Sequence, residues 1–214
     1  DHYGFKYFLD FLNTYYFWRL LGNTLRISLS CLLFGWPAPI ILALLLNELK
    51  SEKFKRITQT VSYLPHFIST VIICGMINLF VSKNGFITQF LNLFGYPEQS
   101  LLSDPNMFVP IYVISNIWAG CGWGTIIYIA AITGVDAELY EAARMDGANR
   151  LQQCFYITLP CIAFSITTML ILNVGSGMGA NFDQIMNLRT DATASTVAQV
   201  IDTYVYDMGV SKGQ

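Results

Sequence analysis

The sequence predicts an all-α integral membrane protein, a polytopic helical bundle with four spans within its 214 residues. Apolar and aromatic residues make up 54% of the chain and charged residues only 12%. An ordinary soluble domain carries about 25% charged residues, so too little polar side chain is left here to solvate a compact surface. Four charge-free stretches, Ile27–Leu46, Ile57–Ser82, Asn106–Val135 and Leu159–Phe182, reach the ~20 residues a helix needs to cross a ~30 Å hydrocarbon core. None alternates like a barrel strand, and an unpaired amide in lipid is costly, so each run must close its own hydrogen bonds as a helix.

Composition also excludes some functions. A net charge of -2 and a pI of about 5.6 provide no basic face for nucleic acid. The five cysteines have no metal-ligand spacing; Cys31, Cys74 and Cys121 lie in apolar runs and read as buried thiols.

In chain order, residues 1–26 form an aromatic-rich segment, with Tyr3, Phe5, Tyr7, Phe8, Phe11, Tyr15, Tyr16, Phe17 and Trp18, as expected of a helix lying at the outer interface. Arg26 then snorkels from the outer end of the first span. Pro37 and Pro39 in the first span and Pro65 in the second predict kinks, tolerated where neighbouring groups satisfy the freed carbonyls. Lys50, Lys53, Lys55 and Arg56 put the connection 47–56 in the cytoplasm. Parity then puts 83–105 outside, 136–158 inside and 183–214 outside. His66 is a candidate proton site by its depth, or a neutral histidine bonding a carbonyl freed by Pro65. The chain opens at Asp1 and stops in a polar stretch after the apolar-periodic Val197, Val200, Ile201, Tyr204 and Val205, so a longer protein is expected, with residues 183–214 leading to a further span.

The core, 27–182, is interrupted by an informative loop at 136–160. Asp136 can cap a short helix, Gly147 suits the left-handed position that ends it, and Asn149 with Gln152 makes a capping-box start for a second. Four acids, Asp136, Glu138, Glu141 and Asp146, against Arg144 and Arg150 argue against DNA recognition by this helix-turn-helix. A structured loop joined rigidly to two spans suits docking of a soluble partner.

Glu141-Ala142-Ala143, Gly147 and Ile157-x-Leu159-Pro160 resemble, with their full spacing, the EAA loop of the membrane subunits of bacterial ABC importers. Asn23-Thr24-Leu25, Ser62-Tyr-Leu-Pro65-His66-Phe-Ile-Ser69 and Asn116-Ile-Trp118-Ala-Gly120 extend the likeness to the carbohydrate-uptake permeases, similar to the larger subunit of maltose-type systems. The resemblance implies six or more spans in the full chain, in a bacterial cytoplasmic membrane. It implies a companion permease subunit, two cytoplasmic ATPase subunits that carry the ATP and magnesium, and an extracytoplasmic solute-binding protein. Glu141, Ala142, Ala143, Gly147, Ile157, Leu159 and Pro160 would form the ATPase-coupling site, and no cofactor would bind this chain.

Trp123 stands thirteen residues before Asp136 and Asn173 thirteen after Pro160, so both should sit ~20 Å into the membrane and face one another. Asn116, Gly120 and Trp123 share one helix face, and Asn173, Ser176, Gly177 and Ala180 another; these residues would offer hydrogen bonds and a stacking surface to a sugar. Ordinary packing selects the same residue types, and Gly175 to Gly179 is also a small-xxx-small contact. Where the maltose-type subunit has asparagines, this chain has Gly177, Gly179 and Ala180. Two other classes compete. An intramembrane enzyme would need a convergent catalytic cluster, yet the chain has only His2 and His66 and no carboxylate in its spans. A passive channel leaves the structured loop without a role. The chain has no phosphate-binding Gly-x-x-x-x-Gly-Lys-Ser/Thr loop, so ATP hydrolysis would belong to partners, and peptides, amino acids or phosphate are alternative solutes.

Overall fold

The computed structural model describes residues 5, 9, 11–177 and 181–211, without the side chains of 176, 177 and 211, and every regular element among them is helical. The expectations for Tyr3, Tyr7, Phe8, Gly179 and Ala180 lie outside these residues. Two compact units are formed, one from Asp1–Ser30, Thr70–Val113 and Gly177–Gln214, the other from Cys31–Ser69 and Ile114–Ser176.

Helices α1 (Phe17–Ser30) and α2 (Pro37–Asn47) are joined by a π-helical turn, Cys31–Gly35, into a 31-residue run apolar enough to span a membrane. Pro37 and Pro39 cannot donate to the carbonyls of Leu33 and Gly35, and the wider turn absorbs that loss without breaking the helix. This helix starts ten residues before the charge-free window, and the charged Arg19 within it is exposed and held locally: its guanidinium donates to Gln199 Oε1 at 2.6 Å and lies over the Tyr16 ring.

The window Ile57–Ser82 is not one span. Helix α3 (Glu52–Tyr63) gives way to a single 3-10 turn at Leu64–Phe67, Ile68 is extended, and α4 (Thr70–Val81) begins anew. Pro65 removes the amide that would continue α3, and the run long and apolar enough to cross a membrane is instead Thr70–Asn92, which includes α5 (Phe86–Asn92). The third expected span matches α6 (Pro105–Thr133). The fourth, expected to be continuous from Leu159, is a pair bent by 63° between Arg150–Cys161 and Ala163–Gly175. Ile162 leaves helical geometry (φ -93, ψ 4) just after Pro160, which cannot bond back to Tyr156. Large apolar side chains such as Phe34, Leu45, Leu79, Ile114 and Phe164 are exposed along these helices, as a surface turned to lipid or partner subunits requires.

In the first unit, α1, α4 and the start of α6 pack with α11 (Phe182–Leu188), α12 (Asp191–Ala194) and α13 (Ile201–Tyr206) around Leu20, Ile27, Ile73, Phe108, Tyr112, Ile185, Leu188 and Val200. The Asn23-Thr24 pair ties chain segments distant in sequence. Asn23 Nδ2 donates to the carbonyls of Thr196 and Gln199 at 2.6 and 2.9 Å, and Thr24 Oγ1 accepts the amide of Ile201 at 3.2 Å. Asp104 accepts from the Asn106 amide, and that bond, then one from Tyr96, holds its carboxyl below the usual range. Replacing Asn23 by alanine removes both bonds and should destabilise by about 0.5–1.5 kcal/mol, seen as a lower unfolding temperature in detergent. Gln199→Ala, which removes one exposed partner of Arg19, should move it less.

The second unit is built on Ile40, Ala43, Tyr128, Ile132 and Ile162, with Trp36, Leu44, Val135, Leu159, Ile166 and Met169 packed against them. Here α6 approaches its neighbours through glycines. A Cβ on Gly122 would lie 1.9 Å from the Ser62 carbonyl oxygen and one on Gly124 would lie 2.9 Å from Pro39 Cγ, whereas one on Gly120 would meet nothing within 4 Å.

Candidate coupling loop and substrate path

Each local signal in the loop forms the geometry expected of it. Asp136 is extended and its carboxylate accepts the Glu138 amide at 3.0 Å, starting α7 (Ala137–Met145). Glu138 in the first turn and Arg144 in the last both oppose the helix dipole favourably. The end of α7 is a Schellman turn, with Ala148 N donating to Ala143 O at 2.9 Å and Gly147 N to Arg144 O at 3.1 Å. Gly147 holds the left-handed residue at φ 79°. The Asn149–Gln152 capping box then opens α8 (Arg150–Gln153), with reciprocal bonds of 2.9 and 2.8 Å.

The chain continues through a π-helical turn, Cys154–Thr158, into the short α9 (Leu159–Cys161) and then α10 (Ala163–Gly177). Two further bonds close the loop on itself: Tyr140 Oη to Thr158 Oγ1 at 2.9 Å, and Gln153 Nε2 to Ala148 O at 2.8 Å. Arg150 pairs with Glu48 at 3.4 Å, both well exposed, so this contact adds little to stability.

Of the seven coupling candidates, Glu141, Ala142, Gly147 and Pro160 are exposed and Ala143 and Ile157 half-buried. Leu159 instead turns inward and packs on the Ile40–Tyr128–Ile162 core, joining the loop to the helices. Sequence reasoning overlooked Met145 at 88% exposure, Leu151 at 70% and Tyr156 at 80%. Their signal was available: apolar side chains off the buried face of short, charged helices.

On the expected path, Trp123 and Asn173 each stand ten residues from the loop-side end of their helix, ~15 Å along it, so their heights agree. Their bonding goes elsewhere. Asn173 Nδ2 donates to Met169 O of its own helix at 2.7 Å. Trp123 stacks on His66, with ring centroids 4.5 Å apart and planes 5° apart, and Phe67 meets it edge-on at 5.6 Å. His66 therefore does not bond a carbonyl freed by Pro65; among the described residues its ring makes aromatic contacts only. Asn116 and Gly120 lie on α6 below this cluster, and Gly120 leaves open space beside it. Ser176 and Gly177 end α10, the Ser176 side chain lying outside the described residues.

Residues 16–210 match the family model described as binding-protein-dependent transport system inner membrane component. Protein LplB of Bacillus subtilis is 44% identical over 98% of this chain, and the polygalacturonan/rhamnogalacturonan transport system permease protein YteP of the same organism is 42% identical over 99%. The chain spans 66% of the length of each. A crystal structure of a bacterial ABC transporter involved in the import of the acidic polysaccharide alginate superposes with a TM-score of 0.92 at 40% identity, covering 99% of this chain and 74% of that one. The chain belongs to the family of binding-protein-dependent transport system inner membrane components.

Proposed function

We propose that this chain is a permease subunit of an ATP-driven importer of oligosaccharides, contributing half of the translocation path in a bacterial cytoplasmic membrane. The observation that carries the reading is the loop 136–160, capped at both helix starts, bonded across its own turn, and presenting Glu141, Ala142, Met145 and Leu151 outward. A rigid, outward-facing apolar and acidic surface is suited to a groove in a cytoplasmic ATPase subunit. Two such subunits, a companion permease and an extracytoplasmic solute-binding protein complete the assembly, and the ATPases hold ATP and magnesium. Closure of the ATPase pair would push α7. The Tyr140–Thr158 bond and the seating of Leu159 in the core would carry that displacement into α6 and α10, switching access from one membrane side to the other.

Residues 1–26 carry the outer interfacial aromatics, 27–182 form the transport core and 183–214 lead outside towards a further span. Asn116, Gly120, Trp123, Asn173, Ser176 and Gly177 border the path. Oligosaccharides are favoured as cargo by the names of the relative YteP and of the alginate importer.

The test is uptake by the full-length importer in proteoliposomes with its binding protein. ATP-dependent accumulation of an oligosaccharide supports the reading. Flux without ATP, or ATP-driven uptake of peptides, amino acids or phosphate alone, contradicts it. In that assay Trp123→Ala should raise the KM for uptake about tenfold by removing the aromatic surface, while the ATPase subunits still co-purify. Loss of co-purification would make Trp123 a packing residue.

A further inference from the structure

The start of α3 gathers four cations, Lys50, Lys53, Lys55 and Arg56. Lys50, Lys53 and Arg56 are exposed, and among the described residues none of the four forms an ion pair; the nearby Glu48 is held by Arg150 instead. Ser51 fixes where the helix begins, its hydroxyl accepting the Phe54 amide at 3.4 Å. From there Phe54, Ile57, Val61 and Leu64, each more than half exposed, follow one another at helical spacing and form a single apolar stripe. Lys53 stands one turn before Ile57 at the edge of this stripe, and Arg56 is its i+3 neighbour. Lys55 is half-buried and lies ~160° around the helix from Ile57. Two contacts set the height of these groups. The Glu48–Arg150 pair holds the connection ahead of α3 beside the loop 136–160. Near the other end of α3, the Ser62 backbone packs against Gly122, ~16 Å along α6 from its loop-side end at Thr133. Helix α3 therefore rises from the membrane surface on the loop side into the hydrocarbon, with its cations at headgroup height and its apolar stripe at acyl-chain depth.

We infer that this face holds an anionic phospholipid of the leaflet on the loop side: Lys50, Lys53 and Arg56 bond its headgroup phosphate, and an acyl chain lies along Phe54, Ile57, Val61 and Leu64. The inference does not depend on the solute transported. The two halves of such a lipid match the two halves of the face, since cations without a partner in the chain need an anion and an apolar stripe on the same helix needs hydrocarbon. Arginine grips a phosphate through its planar fork, and lysines add point charges on flexible stems. A zwitterionic lipid brings its own ammonium, which competes with these side chains for the phosphate. An acidic groove on a soluble subunit would suit the cations but not a stripe that continues into the membrane, and a neighbouring apolar span would cover the stripe and leave the cations unanswered.

The experiment places the complete, full-length importer in phosphatidylcholine vesicles carrying a trace of either phosphatidylglycerol or phosphatidylcholine with a photoactivatable acyl chain, and maps the labelled peptides by mass spectrometry. Phosphatidylglycerol should label residues 54–64 several-fold more than phosphatidylcholine does. The double variant Lys53→Gln, Arg56→Gln should cut that labelling by at least about fivefold, the effect of roughly one surface charge or more on an anionic lipid. Lys55→Gln, on the far side of the helix, should leave it nearly unchanged. Equal labelling by the two lipids, or labelling that survives the double variant, overturns the inference. So does an equal fall in Lys55→Gln, which would reduce the effect to bulk attraction between a basic segment and an anionic surface. Absence of label on α3 in an intact complex overturns it too, the face then being covered by a partner subunit. Loss of an ATPase or of the companion permease from the purified double variant would make Lys53 and Arg56 protein contacts and likewise overturn it.

Discussion

Gly122→Ala should prevent recovery of a folded permease, while Gly120→Ala, two residues away on the same helix, should fold as well as wild type. The added methyl at Gly122 would stand 1.9 Å from the Ser62 carbonyl oxygen and 2.4 Å from its carbon, and backbone cannot rotate aside as a side chain can. Relief requires α6 to shift away from α3, and that shift also disturbs its close approach, at Gly124, to Pro39 of α2. Overpacking of this kind costs about 1–3 kcal/mol in cores that relax well, and more where two backbones meet. At Gly120 the same methyl meets nothing within 4 Å, and the helix gains up to about 1 kcal/mol from losing a glycine. Thermal unfolding and gel-filtration recovery in detergent measure both variants. Equal behaviour of the two would contradict the close approach of α3 and α6.

Substitutions at Gly147 should impair transport to a degree that depends on the new side chain, without preventing membrane insertion. Its φ of 79° is a conformation other residues adopt at a cost of about 1–2 kcal/mol, and no atom lies within 4 Å of where its Cβ would be. Backbone strain alone therefore acts, and the Schellman turn bears it. Valine, stiffened by branching, should open the turn and reduce ATP-driven uptake by at least about tenfold. Asparagine tolerates the left-handed region and should keep most activity. Aspartate tolerates it nearly as well but adds a fifth acid to an exposed face, so strong loss with aspartate and little with asparagine would assign the effect to the docking surface. Loss of insertion in all three would instead give Gly147 a folding role.

The loop was legible because its determinants are local. Asp136, Asn149 and Gln152 cap amides within three residues and Gly147 supplies the left-handed turn between them, so residue type and spacing suffice to specify their geometry. The apolar runs were legible as helices for the same reason that lipid leaves no other option. Their limits were not, because a charge-free window measures composition while a helix end is set by hydrogen bonds. Arg19 lies inside α1, where Gln199, 180 residues later, receives it. Pro65 ends a helix whereas Pro37 and Pro39 only widen a turn, a difference made by the neighbouring residues rather than by proline itself.

The substrate path was read in one dimension. Counting residues gave Trp123 and Asn173 their common height, but direction around each helix depends on packing. His66, 57 positions before Trp123 in the sequence, takes the ring face that counting had turned towards Asn173. The glycines divide in the same way: Gly120, chosen from the sequence, borders open space, and the close approach falls to Gly122 and Gly124. The Asn23-Thr24 pair, noticed as a resemblance, has a physical role in tying α1 to residues 196–201.

Docking of the loop 136–160 on a cytoplasmic ATPase, as proposed above, is open to direct test. The direct measurement is site-specific crosslinking from cysteine substituted for Met145, 88% exposed at the end of α7, in the full-length importer lacking its native cysteines. A crosslink to an ATPase subunit should form, with a yield that changes between ATP-bound and nucleotide-free states. No crosslink in either state, from a complex shown to be intact, would contradict it.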